Sequence, residues 1–166
     1  MSTWSVTPAA QVASQAVLDL LRETDPGAFG PHFQHPQSWT ERPEPLPLPA
    51  TRAARTLTQA LQRRLVEYAL RARGTGEAWE DIAEALDVRS DGRPDCVAAY
   101  LTVLGVRGDD PWWSPARGVV WTCTSCEEAV RDFGPECGGP DDRESGHAVT
   151  CSRHAADVLA WEALWA

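Results

Sequence analysis

The sequence predicts a mainly helical chain that ends in a small metal-stapled module. Three observations predict it. Apolar residues recur at spacings of three and four in four segments between residues 8 and 104. That spacing stops at Asp109-Asp110-Pro111, beyond which come short β-type runs and a Gly- and Pro-rich loop. Four Cys and two His then fall within residues 123–154. The expected organisation is an N-terminal helix with a proline-rich strap over 1–50, a helical core over 51–108, and a metal module over 109–166.

Thr7-Pro8 opens the first helix, Thr7 as cap and Pro8 at the first helical position. Val12, Ala13, Ala16, Val17, Leu20 and Leu21 form its apolar face, and Asp25-Pro26-Gly27 ends it. Residues 26–49 hold seven Pro, ending in the alternation Pro43 to Pro49, and read as an extended strap that also carries His32, His35 and Trp39. The clearest helix spans 51–73, with Ala54, Leu57, Leu61, Leu65, Tyr68 and Ala72 on one face and Gly74-Thr75-Gly76 as terminator. A second core helix runs from Glu77 to Asp87 with Trp79, Ile82, Ala83 and Leu86 inward. A third starts at Pro94 and buries Val97, Tyr100, Leu101 and Leu104, and Trp112-Trp113 is expected to seal the junction that follows. Strands are expected at 119–122 and 128–131, a loop over 134–146, and a closing helix from about 151 to 165.

Charge is unevenly spread around a net of −9. Residues 1–50 set two Arg against five acids, residues 51–107 nine Arg against eight, and residues 108–166 four Arg against eleven. Only the middle segment could face a phosphate backbone without strong repulsion. Every basic residue is Arg and none is Lys, the bias of a GC-rich genome. No apolar stretch approaches the roughly 18–20 residues of a membrane span, and the N-terminus lacks a secretory pattern, so the chain is read as cytoplasmic. Five Cys in that compartment stay reduced, and their spacing argues for metal rather than disulfides.

Cys123-x2-Cys126 between two strand candidates makes a hairpin tip with both sulfurs inward, and the second ligand pair should come from farther along the chain. His147-x3-Cys151 fits, with Cys151 at a helix N-terminus that favours the thiolate. Cys151-x2-His154 is a workable alternative pair, although His154 also shares a helical face with Val158, Trp161 and Trp165 as a core histidine would. Cys137 reads as an incidental thiol or an outer contact. The stretch from Val120-Trp121-Thr122-Cys123 through Asp132-Phe133-Gly134-Pro135 to Gly146-His147-Ala148 and Cys151 resembles a zinc segment of small actinobacterial proteins. That resemblance implies Cys123, Cys126, His147 and Cys151 as ligands of one zinc ion. Four protein ligands close the tetrahedron, so the zinc is expected to be structural.

Residues 77–104 resemble the helix-turn-helix of the promoter-binding region of sigma factors, through Trp79, Ile82-Ala83, Leu86 and Val88 and the lead-in from Leu70 to Gly76. The expected fold is therefore mainly α: a trihelical helix-turn-helix-like core plus a small zinc-stapled module with a short hairpin and a C-terminal helix. The resemblance implies DNA binding and transcription regulation, with Arg71, Arg73, Arg89 and Arg93 as phosphate contacts. The usual turn glycine is replaced by Asp87, the turn is lengthened through Arg89 to Pro94, and the third helix exposes Asp95, Cys96, Ala98, Ala99 and Thr102 rather than base-reading Arg, Asn or Gln. The leading expectation is a small bacterial regulator that binds DNA weakly or with a partner. The alternative is a protein-interaction or adaptor module with structural zinc and no DNA binding. No catalytic constellation or phosphate-cradling loop is read from the sequence, so no enzyme is expected.

Overall fold

The Thr7 side chain accepts a hydrogen bond from the Ala10 amide and starts helix α1, Pro8–Thr24, with Pro8 at its first position. Asp25 closes it and a single 3₁₀ turn, Pro26–Ala28, follows. The computed structural model describes residues 7–29, 45–89, 92–105, 118–164 and 166. His32, His35, Trp39, Trp112, Trp113 and Trp165 lie outside them. Phe29 bridges to Pro45 in antiparallel fashion, and α2 then runs over Pro47–Thr75. The last prolines of the strap thus belong to a helix: in the first turn the missing N–H has no intrahelical acceptor to satisfy, so proline is accepted there.

Two compact units, Met1–Arg63 and Arg64–Ala166, divide within α2. In the first, Leu21, Ala28 and Ala53 are buried, with Val17, Leu20, Phe29 and Ala50 partly buried around them. The apolar stripe expected along the long helix is only partly covered. Leu61 and Tyr68 stay exposed, whereas Ala53 and Ala69 are buried. A face defined by spacing alone is buried only where a neighbour arrives to cover it.

In the second unit, α3 (Trp79–Ala85) packs on α4 (Asp95–Leu104). Asp81 accepts the Ala78 amide at the start of α3. After α3, Asp87 takes a left-handed backbone, φ +49, and the Val88 amide reaches back to the Ala83 carbonyl. A three-stranded antiparallel sheet follows, β1 (Val119–Thr122), β2 (Ala129–Asp132) and β3 (Glu144–Ser145) in that order. The segment 134–146, expected to be loop, holds β3 and the short helix α5, Pro140–Arg143. Helix α6, Ser152–Ala163, closes the unit.

One core joins these pieces. It contains Ala69 from α2, Trp79, Ile82 and Ala83 from α3, Val97, Ala99, Tyr100, Leu101 and Val103 from α4, and Val119, Trp121, Cys123, Val130 and Cys151 from the region beyond. The expected segments 51–108 and 109–166 therefore share their interior. Helix α4 is buried on most of its circumference, and Ala99, expected on the outer face, has no exposed surface. Gly74 shows why α2 meets β1 so closely: a Cβ there would lie 2.6 Å from the Thr122 carbonyl oxygen. Among the described residues no helix is long and apolar enough to cross a membrane.

Candidate metal centre

The hairpin pairs Thr122 with Ala129, which leaves Cys123 to Glu128 as its tip. The Cys123 amide donates to the Glu128 carbonyl, and the Cys123 carbonyl accepts from Glu127, whose φ of +60 turns the chain back. This tight turn places Cys123 and Cys126 side by side. Thr124 donates to the Gly74 carbonyl through both its amide and its hydroxyl, so the end of α2 braces the tip.

The second pair arrives from the loop after β3 and from the start of α6. Gly146 has φ +103, and a Cβ on it would lie 2.7 Å from the Ala129 carbonyl oxygen, so only glycine lets this loop pass so close to β2. His147 follows directly. Cys151 is the N-cap of α6. The Sγ atoms of Cys123 and Cys151 are 3.9 Å apart, and the Sγ of Cys126 is 3.7 Å from Nδ1 of His147. One donor atom from each of Cys123, Cys126, His147 and Cys151 lies within 4.8 Å of the others, a cluster that could hold a metal ion.

The backbone around the sulfurs favours thiolate. Amides of Ala148 and Glu128, with His147, bring the Cys126 thiol down to about 6. Burial works against ionising Cys151, but the His154 amide and nearby groups leave it below the ordinary range. Burial dominates at Cys123 and raises it. Burial opposes protonation of His147, yet its bonds to Glu144 and Cys126 raise it overall.

The ring of His147 presents Nδ1 to the sulfurs and Nε2 to Glu144, whose Oε2 lies 2.8 Å away. His154 stacks on His147 with ring centroids 4.6 Å apart, and its Nε2 pairs with Asp141 at 2.9 Å. It belongs to a second grouping, with Glu144 and His147, and not to the cysteine cluster. The Cys137 thiol donates to the Phe133 carbonyl, away from the four.

No known protein family, curated protein or solved structure matches the chain.

The four arginines expected at a phosphate-facing surface part company. Arg71, Arg89 and Arg93 are exposed, and Arg89 pairs with Asp95 at 3.2 Å. Arg73 differs from the other three. It is buried, its Nε donates to Asp132 at 3.2 Å, its Nη2 to Glu144 and its Nη1 to the Glu77 carbonyl. A guanidinium so buried, with both of its carboxylate partners inside the protein, does not present itself to a nucleic-acid phosphate. Sequence reading also missed Glu144 and Asp132. No signal in the sequence marks them, because the pairing Asp132↔Glu144 depends on β3, which lies where a loop is expected.

Proposed function

We propose that Cys123, Cys126, His147 and Cys151 hold one structural zinc ion, and that the unit it staples is a protein-interaction or adaptor module rather than an enzyme. The observation that carries the metal reading is the convergence of three sulfurs and one imidazole nitrogen from separate elements. A tetrahedral zinc, with bonds of about 2.3 Å to sulfur and about 2.0–2.1 Å to nitrogen, requires donor separations of about 3.8 Å between sulfurs and about 3.6 Å between sulfur and nitrogen. The Cys123–Cys151 separation of 3.9 Å and the Cys126–His147 separation of 3.7 Å fit it. Three thiolates and an imidazole suit zinc better than the oxygen-seeking cations. Four protein donors leave no position for an activated water, which makes the role structural.

Elemental analysis of purified protein is expected to give close to one zinc per chain. Cys123→Ser should abolish that content and Cys137→Ser should keep it. Loss through Cys137→Ser with retention in His147→Ala would overturn the ligand set.

The adaptor reading is favoured over DNA binding by the burial of α4 and the withdrawal of Arg73. A helix that enters the major groove must offer one face to the bases. Here Val97, Ala99, Tyr100, Leu101 and Val103 all face the interior. The DNA reading keeps the support of the left-handed Asp87 turn and of the exposed Arg71, Arg89 and Arg93. Titration of duplex DNA at low salt separates the two. The adaptor reading expects no binding. Binding that weakens steeply with salt, with a slope flattened by about one unit in Arg89→Ala, would restore the regulator reading.

A further inference from the structure

Asp132 and Glu144 stand directly opposite one another on β2 and β3, both buried. Two carboxylates so placed repel each other. The fork of Arg73 answers both: Nε goes to Asp132 and Nη2 to Glu144. Asp132 also accepts the Trp79 indole N–H at 3.0 Å through Oδ2 and the Gly134 amide at 2.8 Å through Oδ1. Glu144 uses its other oxygen for Nε2 of His147. If His147 binds metal through Nδ1, its proton must sit on Nε2, and Glu144 is the acceptor that fixes this tautomer and ring orientation. A continuous buried array thus runs from Trp79, the first residue of α3, through Asp132, Arg73 and Glu144 to a metal ligand.

We infer that Arg73 and Asp132 are positioning residues of the metal centre, so that metal occupancy and the anchoring of α3 at Trp79 are coupled through this array. Neither residue touches the metal. Arg73 holds Glu144 at the angle His147 needs, and Asp132 holds Arg73. By reciprocity, a metal that orders His147 also orders the acceptor of the Trp79 indole. The surroundings leave the array little freedom. Arg73 lies 5.6 Å from the ring centres of both Trp79 and Trp121, and its own carbonyl accepts from Arg153 at 2.7 Å. This inference rests on the metal reading above.

The test uses the full chain and Co²⁺ as a coloured probe, with affinity measured by chelator competition. Arg73→Lys keeps the charge and loses the fork; Asp132→Asn keeps the shape and loses the charge. Each is expected to lower Co²⁺ affinity about 10- to 100-fold, the range for groups behind a ligand, and to shift the ligand-field bands. Val97→Ala, a core change away from the array, serves as a control for lost stability and should leave the bands in place. Trp79→Phe removes only the far end of the array and should give a smaller loss in the same direction, which keeps the test open if Arg73→Lys fails to fold. Chelation of the wild type should move the Trp79 indole N–H resonance, assigned by its absence in Trp79→Phe. Wild-type affinity and bands in both array variants, or an equal loss in Val97→Ala at matched stability, would overturn the coupling alone. A wild-type chain that binds neither Co²⁺ nor Zn²⁺ would overturn the metal reading and the coupling with it.

Discussion

The units Met1–Arg63 and Arg64–Ala166 hold their helices by different means. In the first, among the described residues, the buried set is one leucine and two alanines, and the side-chain ties are local and exposed: Thr7 with Ala10, and Asp19 with Gln15 and Arg22. Burying one leucine is worth about 1.5–3 kcal/mol, so the described residues of this unit lean on helix propensity and capping. In the second, fourteen of the described residues form one buried cluster, and buried polar ties that span the chain run through it, as from Arg73 to Asp132 and Glu144. The contrast teaches that a helical stripe in sequence is an offer of a face, whereas long-range packing and polar ties decide which faces are taken.

The largest test of the contrast bears on the proposed zinc. Stripping it, or Cys123→Ser, should remove a large part of the roughly 10–16 kcal/mol typical of structural zinc sites. Hydrogen exchange should show lost protection in β1, β2 and α6, with α1 unchanged. Equal loss in both units would break the comparison. Next comes a pair of charge insertions. Ile82 is 5% exposed and Leu61 67% exposed. Ile82→Asp buries an unpaired carboxylate and should cost roughly 3–5 kcal/mol in denaturant melts, while Leu61→Asp should stay within about 0.5 kcal/mol.

A glycine pair sharpens the same point. Gly74→Ala must displace the Thr122 carbonyl and should cost about 1–3 kcal/mol. Gly27→Ala meets only an ordinary contact, Asp25 Oδ1 at 3.6 Å, and thermal melts should barely register it. The smallest effect concerns Tyr100. Burial, then the charge of Asp132, then that of Cys137 raise its phenol above the ordinary value, and its hydroxyl donates to the Asp132 carbonyl at 3.2 Å. The folded state therefore holds the proton more tightly than the unfolded chain. The stabilisation is full below about pH 10 and is lost as pH rises beyond it. Tyr100→Phe should cost about 1 kcal/mol at neutral pH and flatten the alkaline limb of the stability profile.

Local signals were legible in the sequence. Thr7 and Pro8 marked the start of α1, the Cys-x2-Cys spacing marked the hairpin tip, and Gly146-His147 with Cys151 pointed to the rest of the cluster. What was hidden depended on partners far along the chain. Arg73 looked like other surface arginines because its acids lie 59 and 71 residues later. The exposed Leu61 and Tyr68 looked buried because periodicity records amphipathicity and not the neighbour. Pro47 looked like the end of a strap because proline is as compatible with a first helical turn as with extended chain. Residues 140–145 were too short to announce α5 and β3.

The shared core of the second unit also sets a schedule for the growing chain. Helices α3 and α4 leave the ribosome before the sheet, with Trp79, Ile82, Val97 and Tyr100 awaiting Trp121 and Val130, and Cys151 arrives later still. At about 5–20 residues per second, this apolar surface is open to chaperones and proteases for seconds before any ion can be captured. With the proposed zinc, metal capture would be a late event in the life of each new chain.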